Sequence, residues 1–594
     1  MIFGMNVAIS KFNSRNYWRK KGIYKGGYIM SEKPWLKAFE EEVARLRPLW
    51  QANYDDHIEL APKYPAEPPK WWFNKWAAEQ PDKPYVMQGD TVITYGVAND
   101  IARRLANALT SLGVKKGDRV SIMSPNLPQY VLSILALLKI GAIEVPTNPL
   151  YTVPEISLQL KDSGAETVIV LAMFADKVIE VMKDPDSPVK RVIAFQVPTM
   201  PIEVEKGEGI YDFNEIIAAA DNTEPEVELT PDDIVRLQYT GGTTGVPKGC
   251  VLTNHNVMSK AVRIGQWVTN NYTTMKAGDM RALSIIPLNH IFGYMSAVAF
   301  NFFCGGSLVT VPVPDPDAIL QAIEKYQPAT LPAVPALLIM LLNHPPFQNA
   351  DISCFVGGVF CGGSPLPEEI LNKFEEMAHC RIVEGYGMSE SCQQITANSG
   401  HHTRKIGSVG VPWVDTDVLI VDDITGTKIM PVGEPGEIIF RGPQLMREYW
   451  NNPEETAMVL RDGWFYTGDI GRMDEDGFFY IVDRKKDIII SSGFNVFPRE
   501  IDEVCYAMPE VQDACAIGIP HPKRGEAAKV YIVLKPGAKL TEEEVIARCR
   551  EKLAPYKVPA QVEFLDDLPR TPVGKPDRKG MRAMAAAKQS EQSQ

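Results

Sequence analysis

Amphipathic helical stretches alternating with short β-rich runs, a charged break near residue 483 and a compact run of elements beyond it predict an α/β protein. A large domain built on a mainly parallel sheet is expected, followed by a small α+β domain. The alternation begins at Trp71. Residues 98–112 place Ile101, Leu105, Leu109 and Leu112 at helical spacing, and Gly117-Asp118 turns the chain into a strand at 119–123. Residues 129–139 read as a buried helix, 142–145 as a strand, 154–160 as a helix and 167–171 as a strand, with no solenoid period running through them. The break is Asp483-Arg484-Lys485-Lys486-Asp487, set between the apolar runs 478–482 and 488–490. Beyond it a helix starts at Pro498 and strands are expected at 514–519 and 529–534. Thr541, with Glu544 three residues on, makes a capping box that opens another helix. The expected organisation is an extension over 1–66, with about the first 30 residues disordered, a large domain over 67–483 and a small one over 484–594. From Ala585 the chain has no apolar periodicity, and the tail is expected to fray.

Composition narrows the function. The 594 residues hold 61 Lys+Arg against 74 Asp+Glu, a net charge of −13, which excludes a nucleic-acid partner of the usual basic kind. The acidity is uneven: residues 1–30 carry six basic residues and no acid, 484–594 carry 19 basic and 16 acidic ones, and the stretch between is strongly acidic. Nine scattered cysteines without a C-x-x-C spacing indicate neither a disulfide framework nor a zinc site, and point to a reducing, cytoplasmic setting. The longest uncharged run, 291–314, is divided by Asn301, Cys304-Gly305-Gly306 and Ser307, so it is expected to fold as helix, turn and strand rather than span a bilayer. Peripheral membrane contact and a monomer or homodimer remain the expected alternatives for assembly.

The sharpest local signal is Tyr239-Thr240-Gly241-Gly242-Thr243-Thr244-Gly245-Val246-Pro247-Lys248-Gly249. Glycines allow close backbone approach, threonines offer hydroxyls and a lysine offers charge, a set suited to a polyphosphate. Pro247 before the lysine and Gly249 after it rule out a Walker A loop. The string resembles the phosphate loop of the adenylate-forming superfamily: acyl-CoA synthetases, peptide-synthetase adenylation domains and firefly-type luciferases. Further motifs follow in the family's order over nearly the whole chain. Glu384-Gly385-Tyr386-Gly387-Met388-Ser389-Glu390 resembles the element in which the tyrosine packs on adenine, the hydroxyl residue contacts phosphate and the glutamate supports Mg2+; serine stands where threonine is commoner. Cys361-Gly362-Gly363-Ser364 is similar to the loop bordering adenine. The run 462–471, with Asp483-Arg484-Lys485-Lys486, is similar to the signature of fatty acyl-CoA synthetases, which implies Asp469 on the ribose hydroxyls, Arg484 on the nucleotide and Lys486 as hinge.

The same resemblance implies that Lys575, in Pro569-Arg570-Thr571-Pro572-Val573-Gly574-Lys575, is the catalytic lysine, although Pro576-Asp577 departs from the family's usual continuation. It implies that His290 and Tyr294 border the acyl group, and that Gly493 and Phe494 line the passage for CoA. The implied fold is a large domain of mixed sheets sandwiched by helices, with a mobile small domain. The implied reaction takes ATP, Mg2+, a fatty acid and CoA: acyl-AMP forms with loss of pyrophosphate, then the thiol of CoA displaces AMP. Thr240, Gly241, Gly242, Thr243, Thr244, Gly245 and Lys248 would hold ATP, with Gly363, Ser364, Tyr386, Gly387, Ser389, Asp469, Arg484 and Lys575. Thr240, Glu390, His290 and Lys575 would serve the chemistry. An aryl-CoA ligase is the runner-up. A luciferase-like monooxygenase and a non-catalytic nucleotide-binding module stand behind it.

Overall fold

The structure, a computed structural model, describes residues 33–197, 201–240, 247–269, 280–491, 494–521, 524–571 and 576–592. Contacts divide the chain into two units. One comprises Arg47–Asp417 and Arg441–Phe465; the other comprises Glu32–Leu46, Val418–Phe440 and Tyr466–Gln594.

In the first unit the widest sheet has seven strands, in the order Ile210–Asp212, Arg191–Phe195, Thr167–Leu171, Arg119–Met123, Ile143–Thr147, Ile234–Thr240 and Lys248–Thr253. All neighbours run parallel except the last pair. Arg119–Met123 and Thr167–Leu171 have the expected bounds, and the second is buried along its whole length, as befits a parallel strand covered on both faces. Helices Tyr95–Ser111, Pro128–Ile140 and Val153–Ser163 fill the expected places. A second sheet orders Leu331–Ala333, Val359–Gly362, Ile382–Met388, Gln393–Ala397 and Val411–Pro412, and a third joins Arg281–Ser284, Ser307–Thr310, Pro84–Gln88 and Thr91–Thr94. Both mix parallel and antiparallel pairs. The uncharged run forms helical turns through Cys304, a left-handed Gly305 and the strand Ser307–Thr310. Among the described residues no helix is long and apolar enough to cross a membrane.

In the second unit, Phe494–Val496, Ile489–Ser491, Gly525–Leu534 and Val511–His521 form a sheet, with Gln561–Phe564 also paired to Gly525–Leu534. Pro498–Tyr506 and Glu542–Lys552 share one apolar cluster with it, built on Ile501, Cys505, Val545 and Cys549. Thr541 and Glu544 make the capping box. The tail differs from expectation. Arg578–Gln592 is a helix, because Met581 and Ala585 are one turn apart and bury against Cys515, Ile517 and Tyr531 on the sheet's other face. Two small contacts four residues apart make too faint a periodicity to read from sequence.

Candidate active site

The strands Ile234–Thr240 and Lys248–Thr253 are antiparallel neighbours, with Thr240 paired to Lys248. The two ends of the Gly/Thr loop are thereby held side by side. Alongside the exit strand runs 446–450, tied by Val251 N–H to Glu448 O at 2.9 Å and by Trp450 N–H to Gly249 O at 2.7 Å. Four side chains meet here. The Lys248 ammonium pairs with the Glu455 carboxylate and sits 5.5 Å from the centroid of the Tyr449 ring. The Tyr449 hydroxyl donates to Glu390 Oε1 at 2.7 Å. Burial, then the neighbouring Glu390 charge, pushes the Tyr449 hydroxyl well up, so it stays a donor. The same two causes raise the thiol of Cys250, which is buried beside Glu390.

Glu390 belongs to the one-turn helix Ser389–Ser391 that follows Ile382–Met388, and Met446 N–H to Glu390 O at 2.8 Å pins its backbone. Ser389 is buried, while Tyr386 and Glu390 are half-buried. Gly387 is required by space: a Cβ there would lie 1.6 Å from Gln393 O. Across the parallel strands Val359–Gly362 and Ile382–Met388, Gly362 pairs with Gly385, so Gly363 and Ser364 leave their strand next to Tyr386. Gly363 has φ +90°, a conformation that favours glycine, and both residues are exposed. His290 caps the short helix Ile291–Gly293: its Nδ1 accepts from Phe292 N–H at 3.1 Å, which assigns the proton of the neutral ring to Nε2. Tyr294 is fully buried, with its ring 4.2 Å from the Arg236 guanidinium.

In the second unit, Asp469 pairs with Arg484 across the antiparallel strands Trp464–Met473 and Phe479–Arg484. Asp469 N–H donates to Thr467 Oγ1 at 3.0 Å, and that hydroxyl donates to Ile438 O at 2.7 Å. Glu437 accepts from Gly468 N–H at 3.0 Å and from Lys485 at 3.0 Å. Of the expected site residues, Gly241, Gly242, Thr243, Thr244, Gly245, Gly493 and Lys575 lie outside the described residues. Arg484, Lys486 and Phe494 are described by their backbone alone.

Within the first unit, the expected residues that come together are Thr240, Lys248 and Glu390 on one side, and Gly363, Ser364, Tyr386 and Gly387 at adjoining strand ends. Sequence reasoning missed Tyr449, which joins Lys248 to Glu390, and Glu455, which pairs with Lys248. The legible trace of Glu455 was a cap: Asn452 accepts from Glu455 N–H at 3.1 Å and opens the helix Pro453–Val459 with a proline at its start. A cap locates a helix end; it does not identify a partner 207 residues away.

An oxygen-only donor, Glu390, beside a cation at a glycine-rich loop is chemistry for a phosphate chain and a hard divalent ion. Comparison with known proteins bears on the nucleotide. Residues 73–450 match the family described as AMP-binding enzyme, and 500–575 match the AMP-binding enzyme C-terminal domain. A long-chain-fatty-acid–CoA ligase of Bacillus subtilis (strain 168) is 38% identical over 92% of this chain and 97% of its own. A feruloyl-CoA synthase of Amycolatopsis sp is 36% identical over 85% of this chain and 96% of its own. The solved structure of a Mycobacterium tuberculosis fatty acyl CoA synthetase superposes with a TM-score of 0.69 at 32% identity, covering 88% of this chain and 99% of that one.

Proposed function

This chain belongs to the AMP-binding enzyme family, and from that premise we propose that it joins a long-chain fatty acid to CoA through an acyl-adenylate. The acid's carboxylate oxygen attacks the α-phosphorus of ATP, the bond to the β-phosphate oxygen breaks and pyrophosphate leaves. The CoA thiolate then attacks the acyl carbonyl and AMP leaves. No cysteine of the chain need act as nucleophile, and buried thiols such as Cys361 and Cys392 are held in their neutral form by burial.

The observation that carries the reading is the sequence of contacts from Lys248 to Tyr449 to Glu390, which supports a polyphosphate and a metal-supporting carboxylate at one place. Thr240 and Lys248 hold phosphate oxygens together with the loop between them. Tyr386 packs on adenine beside Gly363 and Ser364, Ser389 contacts phosphate, and Asp469 takes the ribose diol as an acceptor-only group, with Arg484 on the nucleotide. Mg2+ fits Glu390, whose oxygen is oriented by the Tyr449 hydroxyl; when bound, it would neutralise charge on the phosphates. Lys575 stabilises the charge that builds at the α-phosphate in the transition state. His290 and Tyr294 stand on the acid's side. The small domain, 484–594, turns at Lys486 to exchange Lys575 for the Gly493–Phe494 passage through which CoA arrives.

The name of the Bacillus subtilis relative supports the long-chain substrate; the feruloyl-CoA synthase relative favours aromatic acids as the second reading. Acid-dependent exchange of labelled pyrophosphate into ATP, run with C2 to C18 and aromatic acids, tests both. Exchange is expected to peak with long-chain acids, and a peak with ferulate or benzoate would replace the first reading by the second. Lys575→Ala is expected to lower exchange by about 10²–10³-fold while largely sparing thioesterification of supplied acyl-AMP.

A further inference from the structure

Arg236 lies four residues before Thr240 on the strand that enters the phosphate loop, and its side chain is fully buried. It is paired in the sheet with Glu144 of the strand Ile143–Thr147. Its guanidinium makes three directed bonds: to Glu144 Oε2 at 2.6 Å, to Gln238 Oε1 at 2.8 Å and to the carbonyl of Leu288 at 2.9 Å. Gln238 carries the connection one residue further, donating from Nε2 to the carbonyl of Asn289 at 3.0 Å. The guanidinium carbon lies 4.2 Å from the centroid of the Tyr294 ring. Glu144 also accepts from the Tyr130 hydroxyl at 3.1 Å. One side chain thus touches the strand that ends in Thr240, the turn that ends in His290 and the ring of Tyr294.

We propose that Arg236 is a positioning residue for adenylation: it sets the 288–290 turn against the phosphate-loop strand, and so the acid's carboxylate against the α-phosphate. This rests on the reading above, in which Thr240 stands on the phosphate side and His290 on the acid side. A buried ion pair is a costly way to fill space, since well-packed apolar residues of similar volume often serve stability equally well. A guanidinium differs from an apolar filler in direction. Its planar fork fixes the angle between a carboxylate on one strand and a carbonyl on another segment, and an apolar side chain has no means to specify that angle. Misplacement of reacting groups by an ångström is enough to slow a bimolecular step about a hundredfold.

Two variants separate position from packing. Glu144→Met/Arg236→Met removes both charges together and leaves no lone buried ion. Arg236→Lys keeps a cation for Glu144 but gives up the fork. Both are compared with the wild type in acid-dependent pyrophosphate exchange, with thermal melting as the check on folding. The expected result is a rise of about tenfold or more in the KM for the acid, or a fall of that size in kcat, with the KM for ATP changed less than about twofold. Wild-type kinetics in a folded double variant would overturn the positioning role while leaving the fatty acid ligase reading intact. Equal losses for acid and ATP would overturn it too, by showing general loosening of the site. Absence of exchange by the wild type with every acid would instead defeat the ligase reading itself.

Discussion

Among the cations buried in the first unit, Arg236 and Lys260 lie behind opposite sides of the candidate site and are accommodated in opposite ways. Arg236, behind His290, is matched by a carboxylate. Lys260, behind the strand that follows Glu390, donates to the carbonyl of Gln394 at 3.0 Å and lies 3.5 Å from the centroid of the Trp413 ring. Both are fully buried. A guanidinium does not give up its proton in a protein, so burying one calls for a counter-charge, as at Arg236, or for a set of neutral acceptors, as at Arg263 with Ser259 O, Val414 O, Thr416 Oγ1 and Gln444 Oε1. An ammonium can give it up. Burial, then the nearby Arg263 charge, pushes Lys260 well below its ordinary value. For Arg236 burial acts in the same sense, but Glu144 together with Tyr130 and Tyr294 offsets it and the group is held above its ordinary value. A carboxylate fixes direction and charge together; a carbonyl and an indole fix position and leave the charge free to leave.

Breaking the pair on one side is expected to have the largest effect. Arg236→Met alone strands Glu144 and should cost about 3–5 kcal/mol in urea unfolding, whereas Glu144→Met/Arg236→Met should recover most of that loss. Next comes Lys260→Met, which should stabilise the protein at pH 7 by on the order of 1 kcal/mol. The sign follows from linkage. With the folded value depressed, the unfolded chain binds the proton more readily, so stability due to Lys260 rises with pH up to about its unfolded value near 10.4. The advantage of the methionine variant should therefore shrink between pH 7 and 10, and an advantage that stays constant over that range would show that the ammonium is not the source. The smallest effect is expected from Tyr294→Phe. Among the described residues the buried Tyr294 hydroxyl has no hydrogen-bond partner, so its removal should be neutral or stabilising by up to about 1 kcal/mol while the ring stays on Arg236. A clear loss of melting temperature would show that the hydroxyl supports the pair after all.

The fold was legible where local rules decide it. Arg119–Met123 and Thr167–Leu171 are short β-rich runs between turns, and Thr541 with Glu544 announces a helix by mutual capping. The loop from Thr240 to Lys248 was legible as a string, as was the Ser389-Glu390 element. What joins them was not. Tyr449 and Glu455 reach Glu390 and Lys248 only because residues 446–450 lie along the exit strand, and such pairing between distant segments leaves no local mark. Arg236 and Lys260 were hidden for the opposite reason: a charged residue is read as a solvent face, and only tertiary packing reveals that it lies inside. The second unit also draws on Val418–Phe440, a return of the chain that a boundary drawn once along the sequence cannot express.

The pairing of Thr240 with Lys248 also divides the chain by its tolerance of insertions and deletions. Between the two strands, added residues leave both ends tied where they are, and even doubling a loop's length costs folding only about 0.6 kcal/mol of closure entropy. Within Lys248–Thr253 the loss of a single residue shifts the hydrogen-bond register by one, and side chains that alternate across a strand all change face. Lys248 would turn away from Tyr449, and residues fitted to the core would be displaced from it. A library of length variants scored for folding, not for activity, should therefore survive up to Pro247 and fail just after it, at a boundary drawn by register rather than by chemistry.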